Sequence, residues 1–186
     1  MNAAQFLLSL IDASGGGIQG RTLLQKRAFF VSLLSGIDSG LGFDAYYYGP
    51  YSSTLDNTVA QLKNLDFIDE DDTPFGIISG GFEMRRYDYK LTSQGVEVVK
   101  KLRNTNEYRS IHENVEKIEA AGNPNYFELS IAAKAFFILR KQRRPMSTEE
   151  IKREAEKFNW DIQPHSLEKA VTFLQRLELT RGAEKA

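Results

Sequence analysis

FDAYYYGPYSSTLDNTVAQLKNLDFI, residues 43–68, is the stretch that decides the fold. Pro50 fixes its own φ near −65° and disfavours helical geometry at Gly49, so the aromatic segment must end at this corner. The hydroxyl residues after the corner can accept hydrogen bonds from the first free amides of a helix; they are Ser52, Ser53 and Thr54. Asp56 would stabilise the positive end of the same helix. We interpret residues 52–65 as the recognition helix of a helix-turn-helix.

The predicted recognition helix has two faces. Its apolar side consists of Leu55, Val59, Leu62 and Leu65, which recur at helical spacing. Its polar side consists of Ser53, Asn57, Gln61 and Asn64. Such hydroxyl and amide groups can read base edges or contact a protein, and they also occur on ordinary solvated helices.

Two helices are predicted before this stretch. Residues 2–13 form an amphipathic helix that ends at three consecutive glycines, and a second helix runs from a cap at Thr22 to Gly36. Arg21, Lys26 and Arg27 lie near the front of the second helix. We expect them either to be solvated or to contact DNA phosphates, as the first helix of the motif does.

An aromatic segment joins these helices to the recognition helix. Residues 43–48 predict a short strand or extended edge. Tyrosines occupy four positions between residues 46 and 51, and we expect such rings to close a core more often than to stack on bases. If the surface instead binds a protein, Tyr48 and Tyr51 are the expected anchors, because tyrosine is favoured at interface hot spots.

A β-hairpin is predicted after the recognition helix. A strand starts at Phe67, residues 69–72 read as an acidic turn, and the wing spans about 74–91 with Gly80-Gly81 at its corner. The wing is the most basic part of the first half, through Arg85, Arg86 and Lys90. A basic wing of this kind, together with Lys63, can hold phosphates.

The last third predicts further helices. A capping box of Ser110 and Glu113 would begin a helix ending at residue 121, and residues 127–140 form an apolar helix. A second box at Ser147 and a proline at residue 164 would begin two more. The basic cluster at residues 140–144 either contacts phosphates or complements a helix C-terminus.

Composition limits the function. The net charge of the 186-residue chain is −1, which argues against binding nucleic acid by bulk electrostatics. It has no cysteine and no apolar run long enough for a bilayer, so we expect a cytoplasmic protein without membrane contact. His112 and His165 lack partners at ligand spacing, and no phosphate-binding or nucleophile motif is present. We therefore expect neither an enzyme nor a metal or other cofactor.

Three segments in order carry a resemblance to known proteins. GRTLLQKRAFF (20–30), YYYGPYSSTLDNTVAQLKNLDFI (46–68) and YKLTSQG (89–95) resemble the YwgA-type family of uncharacterised bacterial proteins. The helix containing LQK and the YGP corner are also similar, more distantly, to the Panacea antitoxin domain. That resemblance implies neutralisation of a toxin by direct contact.

These patterns together predict a mainly α protein with a small β-hairpin (α+β). A winged helix-turn-helix domain at 1–105 would be followed by a second trihelical module of helix-turn-helix type at 106–186. One hypothesis is a non-enzymatic transcriptional regulator that binds double-stranded DNA, with a homodimer as a possible form. The alternative is a protein–protein interaction module, antitoxin-like or an accessory subunit. The predicted DNA-binding residues are Arg21, Lys26, Arg27, Ser52, Ser53, Asn57, Gln61, Lys63, Arg85, Arg86 and Lys90.

Overall fold

The computed structural model of the chain describes residues 1–77 and 83–180. Within them the chain is mainly helical and has one small antiparallel sheet, which confirms the predicted α+β class. The elements are α1 (Ala3–Ala13), β1 (Gly17–Gln19), α2 (Arg21–Ser35), α3 (Ser53–Asn64), β2 (Ile68–Ile77), β3 (Glu83–Leu91), α4 (Ser93–Leu102), α5 (Asn106–Ala120), α6 (Tyr126–Gln142), α7 (Thr148–Glu156) and α8 (Pro164–Arg176).

Side-chain caps fix most of the helix starts. Ser52 Oγ accepts a hydrogen bond from the amide of Leu55 at 3.0 Å and begins α3, as predicted. The predicted box at Ser147 is also present and begins α7. The start of α2 differs, because Gly20 and not Thr22 occupies its N-cap.

The predicted start of α5 at Ser110 is wrong. Thr105 is the cap, and its hydroxyl accepts a hydrogen bond from the amide of Tyr108 at 3.2 Å. The physical reason is that Tyr108 and Ile111 are both buried, so the first turn of this helix packs against the core. The polar composition around residue 104 had concealed this turn.

The sheet has the strand order β1-β3-β2, and both pairings are antiparallel. The predicted acidic turn at residues 69–72 is wrong, because these residues are part of β2 and face β3. Opposite-charge pairs across two strands stabilise such pairing, and β3 supplies the basic residues. The predicted corner Gly80-Gly81 lies outside the described residues, and the short strand β1 was not predicted.

Two further expectations around the recognition helix are wrong. Residues 43–48 do not form a strand, because only Asp44 pairs, in an isolated bridge with Tyr51. Leu65 was expected on the buried face but is 59% exposed. Its position explains this, because α3 ends there and the chain reverses at Asp66, where φ is 58°.

The hydrophobic core continues across the predicted boundary at 105/106. Helix α5 packs against α1 and α2, and α6 packs against α2 and α8. Asp12 on α1 also accepts hydrogen bonds from Arg103 (2.8 Å) and from the hydroxyl of Tyr108 (2.6 Å), one on each side of that boundary. Burial alone would raise the pKa of Asp12, but these bonds outweigh it and hold the pKa below its ordinary value.

Candidate functional site

Two buried polar side chains of α2 form hydrogen bonds to the backbone at the Gly-Pro corner. Gln25 accepts a hydrogen bond from the amide of Ser52 (2.9 Å) and donates one to the carbonyl of the same residue (3.0 Å). The ammonium of Lys26 donates to the carbonyl of Pro50 at 2.6 Å. The segments LQK and YGP, on which the family resemblance depends, are therefore in direct contact.

Helix α6 and the loop between α7 and α8 hold the corner from the other side. The indole Nε1 of Trp160 donates to the carbonyl of Tyr46 at 2.6 Å, and the hydroxyl of Ser130 donates to the carbonyl of Tyr48. Gly49 has a φ of 97°, and a Cβ there would be 3.0 Å from Cγ of Lys134. Few residues other than glycine would fit, because both the backbone conformation and the space exclude a side chain.

Two lysines are buried beneath the corner. Lys26 is 2% exposed and Lys134 is 8% exposed. Burial lowers the pKa of Lys26 to about 7, and the nearby charge of Lys134 adds to the effect. Burial also lowers the pKa of Lys134, whose ammonium lies 5.7 Å from the centre of the Trp160 ring. Lys26 was expected either to be solvated or to contact DNA phosphates. Both expectations are wrong, because the side chain is buried and its ammonium donates to the carbonyl of Pro50.

The rings of the corner point outward. Tyr46, Tyr47 and Tyr48 are 52%, 75% and 67% exposed, so the expectation that these rings close the core is wrong. We call these three residues the tyrosine corner. Tyr46 packs edge-on against Tyr47 (4.8 Å between centroids) and lies 5.0 Å from the half-buried Tyr51. The rings stay outside because the backbone carbonyls of the corner are the groups that bind the interior.

A further exposed aromatic residue lies on the helix that supports the corner. Tyr126 is 52% exposed and lies one helical turn before Ser130 on α6. Ser130 bonds to the backbone of Tyr48, so α6 contacts the main chain of the tyrosine corner. Exposed aromatic rings that pack together, as Tyr46 and Tyr47 do, often mark an interaction site.

Two of the basic residues predicted on α2, Arg21 and Arg27, lie beside carboxylates of the chain. Arg21 lies 3.6 Å from Asp56, with its guanidinium 5.0 Å from the centre of the Tyr87 ring. Arg27 is mostly covered and lies 3.5 Å from Glu119 on α5. Both therefore serve contacts within the chain.

The basic residues of the wing are also paired. Arg85 bonds to Asp72 (2.6 Å), Arg86 to Asp88 (2.7 Å) and Lys90 to Asp71 (2.7 Å). Lys63 of α3 pairs in the same way with Glu70 of β2. The acidic run in β2 therefore cancels much of the positive charge that the wing was expected to offer to phosphates.

The polar face of α3 is open to solvent. Ser53, Asn57 and Gln61 are all exposed, as the helical spacing predicted. Ser52 differs, because it is fully buried as the helix cap and through its bonds to Gln25. Its predicted place on a DNA-reading surface is therefore wrong.

The sequence did not reveal the residues that position the corner. They are Gln25, Ser130, Lys134 and Trp160. Polar residues on a helix are normally assigned to solvent, and Trp160 is 114 residues from the carbonyl that it binds. No local signal in the sequence pointed to these four residues.

Within residues 1–77 and 83–180, no group of three His, Asp or Glu side chains could hold a metal ion. No described helix combines the length and the hydropathy needed to cross a bilayer. No protein-family model matches the chain, and a search of curated proteins finds no similar sequence.

Proposed function

We propose that the chain is a non-enzymatic winged-helix protein that binds a partner protein through the tyrosine corner. The order α1, β1, α2, α3, β2, β3 supports the winged-helix interpretation, since it places a helix-turn-helix before a β-hairpin. A cytoplasmic location is part of the same proposal. So is the resemblance to the YwgA-type and Panacea proteins, of which the latter fits a role in direct protein contact.

The observation that carries the proposal is an exposed aromatic loop on a fixed backbone. Hydrogen bonds from Trp160, Ser130 and Lys26 hold the carbonyls of residues 46, 48 and 50. A partner would therefore meet rings whose main chain is already ordered, which lowers the entropy cost of binding. Tyrosine also supplies a large contact area and a hydroxyl, and it is enriched at interface hot spots.

The charge distribution favours a protein partner over a phosphate backbone. Arg21, Lys63 and Lys90 each have a carboxylate within 4 Å, and Lys26 is buried. A DNA-binding surface gains most of its affinity from cations that replace counterions on phosphates. Cations that are already paired with carboxylates contribute less to such binding.

DNA binding is the second candidate, and one observation favours it. The exposed amides of Asn57 and Gln61 lie on the helix that would enter the major groove. In that case Arg85 and Arg86 would exchange their carboxylate partners for phosphates.

The test is affinity capture from a lysate of the native host, with the wild-type chain and a Tyr47→Ser/Tyr48→Ser variant as baits. We expect a specific protein to be retained by the wild type and lost with the variant. Both substituted side chains are largely exposed, so the fold should not change. The matched control is Leu65→Ser, which removes another exposed apolar side chain and should retain the partner.

A gel-shift assay with duplex DNA runs in parallel. Equal capture by the tyrosine variant would contradict the proposal. So would sequence-selective DNA binding at near-physiological salt that is lost in Arg85→Glu/Arg86→Glu, and this result would establish the second candidate.

A further inference from the structure

An apolar groove lies beside the tyrosine corner, between the C-terminal ends of α2 and α6. Phe29, Leu33, Leu41, Phe43 and Phe137 form its apolar wall, and the cavity has a volume of about 760 Å³. The segment that follows α2 forms one side of the groove and then leads into the corner at Tyr46. The groove is therefore continuous in the chain with the surface described above, although its own residues are different.

Basic residues line one edge of this groove. They are Arg140, Lys141 and Arg143, all of them exposed. Lys141 lies 4.8 Å from the centre of the Phe158 ring. Among the described residues, neither Arg140 nor Arg143 has a carboxylate within 4 Å, whereas the neighbouring Arg144 is paired with Glu150 at 2.9 Å. This edge therefore keeps its positive charge, whereas the basic residues of the wing are paired with carboxylates.

The end of α6 accounts for only part of that charge. The last turn of a helix carries a partial negative charge of about half an electron, which favours basic residues there. Three cations exceed this requirement. Asp38 is the acidic residue that lines the groove, and one of its oxygens accepts a hydrogen bond from the amide of Gly40 at 3.2 Å. The groove thus combines a net positive edge with an apolar wall.

We propose that this groove binds an acidic amphipathic segment of a partner protein. Apolar side chains of the segment fill the space against Phe29, Leu33 and Phe137, while its carboxylates bond to Arg140 and Arg143. Arginine suits this role because its planar guanidinium can form two parallel hydrogen bonds with a carboxylate. A nucleic-acid backbone would gain nothing from the apolar wall, so the observations favour a peptide. The inference does not depend on the tyrosine corner, since none of its three residues lines the groove.

The test begins with selection of phage-displayed random peptides on the immobilised wild-type chain. We expect the enriched peptides to combine several Asp or Glu residues with apolar residues. One enriched peptide is then synthesised with a fluorescent label, and its binding is measured by anisotropy.

Three variants locate the binding site of that peptide. Arg140→Glu/Arg143→Glu should weaken binding about tenfold or more, and Leu33→Glu should do so independently through the apolar wall. The matched control is Lys101→Glu/Arg109→Glu, which makes the same change in net charge at exposed positions outside the groove and should keep the affinity within about twofold. Circular dichroism checks that each variant is folded.

Several results of these experiments would overturn the inference. The inference is overturned if no peptide is enriched, if the enriched peptides are neutral or basic, or if both charge-reversed variants bind alike. Binding of random-sequence duplex DNA or of phosphatidylserine vesicles that requires Arg140 and Arg143 would also overturn it. Since Tyr47→Ser/Tyr48→Ser leaves the groove intact, loss of the captured protein with that variant bears only on the tyrosine corner.

Discussion

Replacement of Lys26 by methionine should change how the stability of the protein depends on pH. Lys26 is 2% exposed, and burial lowers its pKa from 10.5 to about 7. In the unfolded chain the same side chain keeps its proton up to its ordinary pKa. Between these two pKa values unfolding takes up a proton, so raising the pH stabilises the folded state.

The magnitude follows from the shift of the pKa. Each pKa unit corresponds to about 1.4 kcal/mol, so Lys26 should add on the order of 3 kcal/mol to the free energy of unfolding between about pH 7 and pH 9.5. Below the folded pKa both states are protonated, and the dependence disappears. Methionine has a similar length and no charge, so the variant should lack this increase. The substitution also changes the stability at every pH, because the carbonyl of Pro50 loses the donor Lys26. The prediction therefore concerns the dependence on pH and not the absolute free energy of unfolding.

Urea unfolding at the two pH values measures this effect, with the fluorescence of the only tryptophan, Trp160, as the signal. Lys63→Met is the matched control, because Lys63 is exposed and paired with Glu70 and should retain the wild-type dependence. Lys134→Met should flatten the dependence in part, since burial lowers the pKa of Lys134 too. The reasoning is refuted if Lys26→Met gains as much stability at high pH as the wild type.

Three other predictions concern the corner and the wing. Gly49→Ala should lower the free energy of unfolding by about 1–3 kcal/mol in thermal or urea denaturation, because φ is 97° and the new Cβ meets Lys134; an unchanged midpoint would contradict this. Trp160→Phe removes the indole donor from the carbonyl of Tyr46, which keeps its hydrogen bond from the amide of Gly49, at a cost of about 0.5–1.5 kcal/mol; hydrogen exchange should accelerate more at residues 46–51 than at α1. If the wing holds phosphates, Arg85→Glu/Arg86→Glu abolishes retention on DNA. Under the proposed protein-binding function, neither the wild type nor this variant forms a specific complex in the gel shift, and both capture the partner protein equally.

The sequence predicted the regular elements from local signals. The corner at Pro50, the cap at Ser52 and the box at Ser147 act within a few residues, so a single chain reveals them. The acidic residues 69–72 were misread as a turn because a run of like charges seldom forms a strand. The ion pairs of Asp72 with Arg85 and of Asp71 with Lys90 on β3 offset the repulsion within the run, and local sequence does not reveal these pairs.

The hydrogen bonds that hold the Gly-Pro corner could not be inferred from local signals. Lys26 and Gln25 look solvated until the corner is placed over them, and the bond from Trp160 depends on the packing of α6 against α2. The exposure of the tyrosines is equally non-local, because it follows from where their carbonyls bind. Residues whose role is to position others therefore remained hidden, whereas the exposed amides of α3 were found from spacing alone.

Strand β2 has a consequence for self-association. It forms one edge of the sheet, since the strand order is β1-β3-β2, and it carries four consecutive acidic residues followed closely by Pro74. A second copy that approached this edge would bring like charges together, and the proline offers no amide to bond. Strand-to-strand dimers and fibre growth through the β2 edge are therefore disfavoured, and the three-residue strand β1 is the other edge of the sheet.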